Sequence, residues 1–165
     1  MRASRMRLTS VVPVVILAAG GVVISATTHD REVERGRYLS VIGGCNDCHT
    51  PGYLEKSGAV PEGTWLTGSA VGFQGPWGTT YPSNLRLVAG AMSEAQWVTH
   101  ARAARRPPMP WFNLRTMSDA DLRAIYAYLR SLGAGSDAAP AYVPPGEHVA
   151  TPYIDFAPKN LPPAG

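Results

Sequence analysis

The sequence predicts a helical domain with one long irregular stretch. Three helix signals with recognisable caps, a run from residue 50 to 90 without periodicity, and a single Cys-x-x-Cys-His cluster between the first helix and that run lead to this reading. The chain has 165 residues, room for one core, because domains commonly hold about 100 to 150 residues. Residues 1–28 form an N-terminal targeting segment, 29–135 the domain, and 136–165 an extended tail holding seven of the fifteen prolines, a composition that builds no core of its own.

The first helix is expected over "DREVERGRYLSVIGG", with Asp30 as N-cap and acidic residues in the first turn. Val33, Gly36, Ser40 and Gly43 recur on one side at helical spacing. This small-residue face invites close crossing by another helix. The run that follows, with "PGYLEKSG", "PEGTWLTGS" and "QGPWGTTYPSN", reads as turns and loops. Trp65, Phe73, Trp77 and Tyr81 make it apolar enough to line a cavity. A second helix begins at Ser93, where "SEAQ" has capping-box form, and runs through Trp97 and Ala101 toward Arg105; Pro107 and Pro108 end it. The third has the clearest signals: "SDAD" caps it at Ser118, Leu122, Ile125, Tyr126, Leu129 and Leu132 form a stripe, and Gly133 stops it. The segment "TPYIDFAP" in the tail carries apolar side chains suited to lying extended over the domain.

Charge excludes one class of partner. The net charge of +3 is carried by Arg2, Arg5 and Arg7, and the other 12 basic residues balance the 12 acidic ones. Basic composition is therefore no sign of nucleic-acid binding. Those arginines precede an uncharged run, Leu8 to Thr28, in the layout of an export signal, so the domain is expected in the periplasm. Its strongly apolar part, Val11 to Ile24, has signal-peptide length, while the full run is long enough to span a bilayer. Cleavage and retention as an inner-membrane anchor both stay open.

The chain's two cysteines, Cys45 and Cys48, stand three apart with His49 directly behind. Cys-x-x-Cys-His is the attachment signature of c-type haem. Two thiols about one turn apart each add to one vinyl group, and the adjacent imidazole is placed to bind iron. Three other uses of such a pair fit less well. Zinc takes four ligands, and no second pair exists; a thioredoxin-type disulfide follows a strand; a plain disulfide here closes a ring too small to stabilise much. A small domain with few helices also benefits from a cofactor at its centre.

The opposite axial position decides between electron transfer and ligand chemistry. Met109 in "RRPPMPWF" is the candidate, because flanking prolines stiffen the loop and keep it out of both neighbouring helices. Met92 and Met117 each precede a helix cap and read as packing residues. His100 shares a helical face with Trp97 and is the alternative for a His/His site; His29 and His148 lie in flanking segments.

With these residues in place, "RGRYLSVIGGCNDCHTPG", "PPMPW" and "MSDADLRAIYAYLRSLG" resemble, in order and over residues 30 to 133, the monohaem class I cytochromes c, particularly exported bacterial ones. The resemblance implies an all-α fold in which the first and last helices cross, bringing Gly36 against Ile125, Tyr126 and Leu129. It also implies one covalent haem c on Cys45 and Cys48, with His49 and Met109 as iron ligands. The segment 62–84 and the tail depart from the family pattern.

The function expected is one-electron exchange between ferrous and ferric iron, as a carrier or subunit serving a dehydrogenase or respiratory chain, rather than an enzyme in its own right. Redox proteins are the expected partners. Arg102, Arg105 and Arg106 are candidates for propionate neutralisation or partner steering, against a reading as a solvated helix end. Trp65, Trp77, Tyr81 and Asn84 are candidate donors to propionates, against a reading as loop packing. Two rival functions are a haem sensor or small peroxidase with an open sixth site, and a thiol-disulfide oxidoreductase.

Overall fold

The computed structural model describes residues 27–135 and 137–160. The export candidate lies outside them except for its last two residues. Among the described residues the helices are α1 (Thr28–Ile42), α2 (Cys45–His49), α3 (Leu85–Gly90), α4 (Glu94–Ala101), α5 (Trp111–Thr116) and α6 (Asp119–Ser131), with a 3-10 turn at Glu62–Thr64. Three short strands, β1 (Gly72–Gly75), β2 (Gly78–Thr80) and β3 (Tyr153–Asp155), complete them. No helix among the described residues is long and apolar enough to cross a membrane.

The chain enters α1 earlier than the sequence suggests. Thr27, not Asp30, is the N-cap: its hydroxyl accepts the Asp30 N–H, while the Asp30 carboxylate takes the Thr27 N–H at 2.9 Å. Asp30 is thus the third residue of a capping box. At α4 the expected box of Ser93 and Gln96 is present. That helix stops at Ala101 rather than Arg105, and Arg105 folds back to donate from Nη2 to the His100 carbonyl in its last turn at 2.7 Å. α6 starts at the Ser118 cap and ends where Gly133 takes φ +72°, a left-handed conformation that glycine adopts without side-chain strain.

α6 supplies the largest share of the core, burying Leu122, Ala124, Ile125, Ala127, Tyr128 and Leu129. α1 crosses it at Gly36. A Cβ at Gly36 would collide with the Ala124 carbonyl and stand 2.8 Å from the Tyr128 Cβ. The immediate neighbours of Gly36 are therefore Ala124 and Tyr128, one position before the expected Ile125 and Leu129. The backbone approach is close because the smallest residue on each helix meets there. Tyr126 turns toward α4 instead, donating its hydroxyl to the Met92 carbonyl at 2.9 Å and lying beside Trp97. The crossing is tied at its edge by Arg35 and Asp121, 2.8 Å apart.

The all-α expectation holds for the body of the domain and gains a small sheet, in the order β2–β1–β3. β1 and β2 form an antiparallel hairpin with Phe73 opposite Thr80, and the tail adds β3 parallel to β1 with Phe73 opposite Ile154. Strands of three or four residues built from Gly, Thr and Gln show too little alternation to read from sequence. The two segments that depart from the family pattern thus pair with each other. Phe156 of the tail packs edge-on against Phe73 and Trp77, with ring centres 5.4 and 6.4 Å apart.

Candidate haem site

The Cys45, Asn46, Asp47, Cys48, His49 run folds as α2, a short helix entered through Gly44 in the left-handed conformation (φ +68°). That turn lets α2 leave α1 sharply and places Cys45, Cys48 and His49 on one short element. Asn46 anchors it from below. The Thr50 hydroxyl donates to Asn46 Oδ1 at 2.6 Å and accepts the Leu66 N–H at 2.8 Å, and the Gly68 N–H donates to the His49 carbonyl at 2.8 Å. Asn46 is fully buried and Leu66 likewise, so these bonds are made where water cannot replace them.

His49 is 8 % exposed, with Nδ1 2.7 Å from the Ser83 carbonyl oxygen. A carbonyl only accepts, so Nδ1 carries the proton and donates, and the lone pair belongs to Nε2. Burial pushes the imidazole pKa down, against the opposing effect of the Ser83 bond. A neutral ring with a fixed tautomer is what an iron ligand requires.

Both cysteines are free thiols of intermediate burial. Burial raises the Cys45 pKa to about 11 and also raises that of Cys48, with the neighbouring Asp47 charge acting in the same direction. Redox-active thiols need the reverse, a depressed pKa in electropositive surroundings. The donor set fits a haem instead: two thiols in one helix and an imidazole offering Nε2.

Met109 lies in the loop between α4 and α5, half-buried, with its carbonyl accepting the Trp111 N–H at 2.9 Å. The other candidates are otherwise engaged. Met92 and Met117 are both partly buried against the core, the Met117 Cε 3.7 Å from where a Gly43 Cβ would stand. His100 is exposed on α4, stacked beside Trp97, and His29 and His148 are exposed.

The arginines and aromatics proposed as haem contacts have structural partners. Arg102 pairs with Asp119 at 2.7 Å and donates to the Met117 carbonyl, Arg105 caps α4, and Arg106 lies over the Tyr142 ring. Trp65 donates to the Val60 carbonyl and Tyr81 shares a 2.6 Å hydrogen bond with Thr151. Asn84 caps α3 through its side-chain oxygen and gives its amide N–H groups to the Ala134 and Asp137 carbonyls. Each of these residues thus has a partner within the chain.

Sequence reasoning missed Ser83, which acts through its backbone carbonyl and so has no residue-type signature. It also missed Arg86, which is 4 % exposed and donates to the carbonyls of Leu132, Glu62 and Gly63 at 3.1–3.2 Å. Its signal was available: a lone cation inside the apolar run "NLRLVAG" needs internal acceptors to be buried. Arg86 pins the 3-10 turn to the end of α6.

Comparison with known proteins agrees with this architecture. The cytochrome c family model matches residues 33–133. A nicotinate dehydrogenase subunit of Pseudomonas putida is 31 % identical over 121 residues, covering 66 % of this chain. The chain corresponds to 9 % of that protein's length. No solved structure matches. The family match spans well over half of the chain, from α1 through the end of α6, and the chain therefore belongs to the cytochrome c family, whose cofactor is a covalently bound haem c.

Proposed function

We propose that Cys45 and Cys48 hold the haem through thioether bonds, that His49 Nε2 and the Met109 sulfur are its axial ligands, and that the protein carries single electrons for an exported dehydrogenase or respiratory chain. The observation that carries this reading is the fixed His49 tautomer, directly behind two free thiols on one helix. Cys45 and Cys48 would hold the group as thioethers, each thiol's sulfur and hydrogen going to the two carbons of one vinyl group. This step needs no oxidant.

When bound, the haem supplies ferrous/ferric one-electron exchange. The chain's own residues supply the rest. The Ser83 carbonyl, by accepting the Nδ1 proton, orients the His49 ring and raises its basicity. Burial of Asn46, His49 and Thr50 keeps water from the hydrogen bonds that hold α2. Methionine as the second ligand favours the reduced state compared with a second histidine.

A dehydrogenase as electron donor is supported by the likeness to a dehydrogenase subunit, and the basic, then apolar, first 28 residues support export to the periplasm. The raised thiol pKa values count against the thiol-disulfide oxidoreductase. A haem sensor or peroxidase is separated by ligand binding. Reduced protein, produced in a host with haem-attachment machinery, is expected to leave carbon monoxide unbound. Rapid, stoichiometric carbon monoxide binding would show an open sixth site and contradict the carrier role.

A further inference from the structure

We propose that Thr80 and Tyr142, which lie in the two segments foreign to the family pattern, are positioning residues that clamp the Met109 loop. The proposal rests on Met109 being the second axial ligand, as proposed above.

The need for a clamp follows from the loop's chemistry. In "RRPPMPWF", Pro107, Pro108 and Pro110 have no N–H, so this stretch offers few donors and is best held through its carbonyls and side chains. Both kinds of hold are present. Thr80 Oγ1, at the end of β2, donates to the Pro107 carbonyl at 2.8 Å, two residues before Met109. Arg106 sets its guanidinium carbon 3.9 Å from the centre of the Tyr142 ring, a favourable cation–π distance.

The clamping residues are themselves fixed. The Tyr142 hydroxyl donates to the Trp77 carbonyl at 2.7 Å, and next to it Val143 and Thr79 exchange two backbone hydrogen bonds of 2.8 and 3.0 Å. Gly78, at φ +92°, makes room for this docking: a Cβ there would collide with the Val143 carbonyl and stand 3.0 Å from the Tyr142 ring. Three residues beyond Thr80, the Ser83 carbonyl accepts a hydrogen bond from His49 Nδ1–H. The stretch from Thr80 to Ser83 therefore touches the methionine loop at one end and the axial histidine at the other.

The test uses the full-length oxidised holoprotein. Its sulfur-to-iron charge-transfer band reports the methionine ligand, and an imidazole titration reports how readily the loop yields. Apparent imidazole affinity rises with the fraction of protein in the open state. Thr80→Val and Tyr142→Leu are each expected to tighten imidazole binding about three- to tenfold, the range for losing one exposed hydrogen bond or cation–π contact. Thr80→Ser, which keeps the hydroxyl, should match the parent, and Tyr142→Phe should recover most of the loss. Arg106→Gln breaks the same contact from the exposed loop side, so a Tyr142 variant that fails to fold leaves the proposal testable. Lys159→Ala, which breaks only the Lys159–Asp155 pair in the tail, should not change the titration. Parental imidazole affinity in Thr80→Val and Arg106→Gln, with the sulfur band present in the parent, overturns the clamp. A parent lacking that band overturns the Met109 assignment, and the clamp with it.

Discussion

His49 and Met109 stand in contrasting settings. The histidine is 8 % exposed, on a helix held from beneath by Asn46 and Thr50, with its ring fixed by the Ser83 carbonyl. The methionine is half-buried in a proline-flanked loop whose anchors, Thr80 and Tyr142, come from a hairpin and a tail. The first setting is built by buried hydrogen bonds, which are costly to break. The second relies on exposed ones that water can replace. One side of the proposed site is therefore rigid by construction and the other adjustable, and the segment 62–84 serves both, through Leu66, Gly68 and Ser83 on the histidine side and Thr80 on the methionine side.

The largest expected effect lies behind the rigid side. Gly36→Leu places a side chain into the Ala124 carbonyl and forces α1 away from α6. A loss of about 3 kcal/mol in urea unfolding is expected, with the histidine side disrupted. A fully stable Gly36→Leu protein would show that the crossing is looser than the contact distances imply.

Thr50→Val is next. It strands the Leu66 N–H and removes the donor to Asn46, both in buried positions, and should cost about 2 kcal/mol. It should do so with little change in imidazole affinity, the reverse of Thr80→Val. If the two variants shift stability and imidazole binding in equal proportion, the contrast between the sides fails.

The smallest effect is a pH dependence. Hydrogen bonds from Arg35, then Ser118, hold Asp121 below its ordinary value of 3.8. Burial acts to raise Glu62, but the hydrogen bonds from Arg37 and Tyr128 outweigh it and leave the carboxyl below its ordinary 4.5. Both groups are lowered in the folded state, so their contribution is fully present above those ordinary values and is lost as pH falls through the depressed ones. Below about pH 5 these two carboxyls should steepen the fall of the urea midpoint, and Asp121→Asn should weaken that part modestly because the pair is partly solvated. An unchanged acid profile in Asp121→Asn would mean that Arg35 and Asp121 contribute nothing to the crossing.

Local signals were legible where the chemistry is local. Cys45, Cys48 and His49 lie within five residues, and the caps at Ser93 and Ser118 lie within three residues of the groups they satisfy. The start of α1 was misplaced by three residues, because Thr27 and Asp30 cap reciprocally and the acidic partner looked like the cap itself. The sheet was invisible for a different reason. β1 and β3 lie about eighty residues apart, each is too short to show a period, and their pairing depends on the tail docking through Val143. Long-range backbone contacts such as Ser83 to His49 leave no trace in residue types at either end.

The central claim is that Cys45 and Cys48 carry haem through covalent bonds, and the most direct measurement is the intact mass of the purified protein after denaturation. Protein made in a host with haem-attachment machinery should retain the mass of one haem on the unfolded chain, and the Cys45→Ala/Cys48→Ala double variant should retain none. A parent chain at its bare polypeptide mass, with both thiols open to alkylation, would contradict the account.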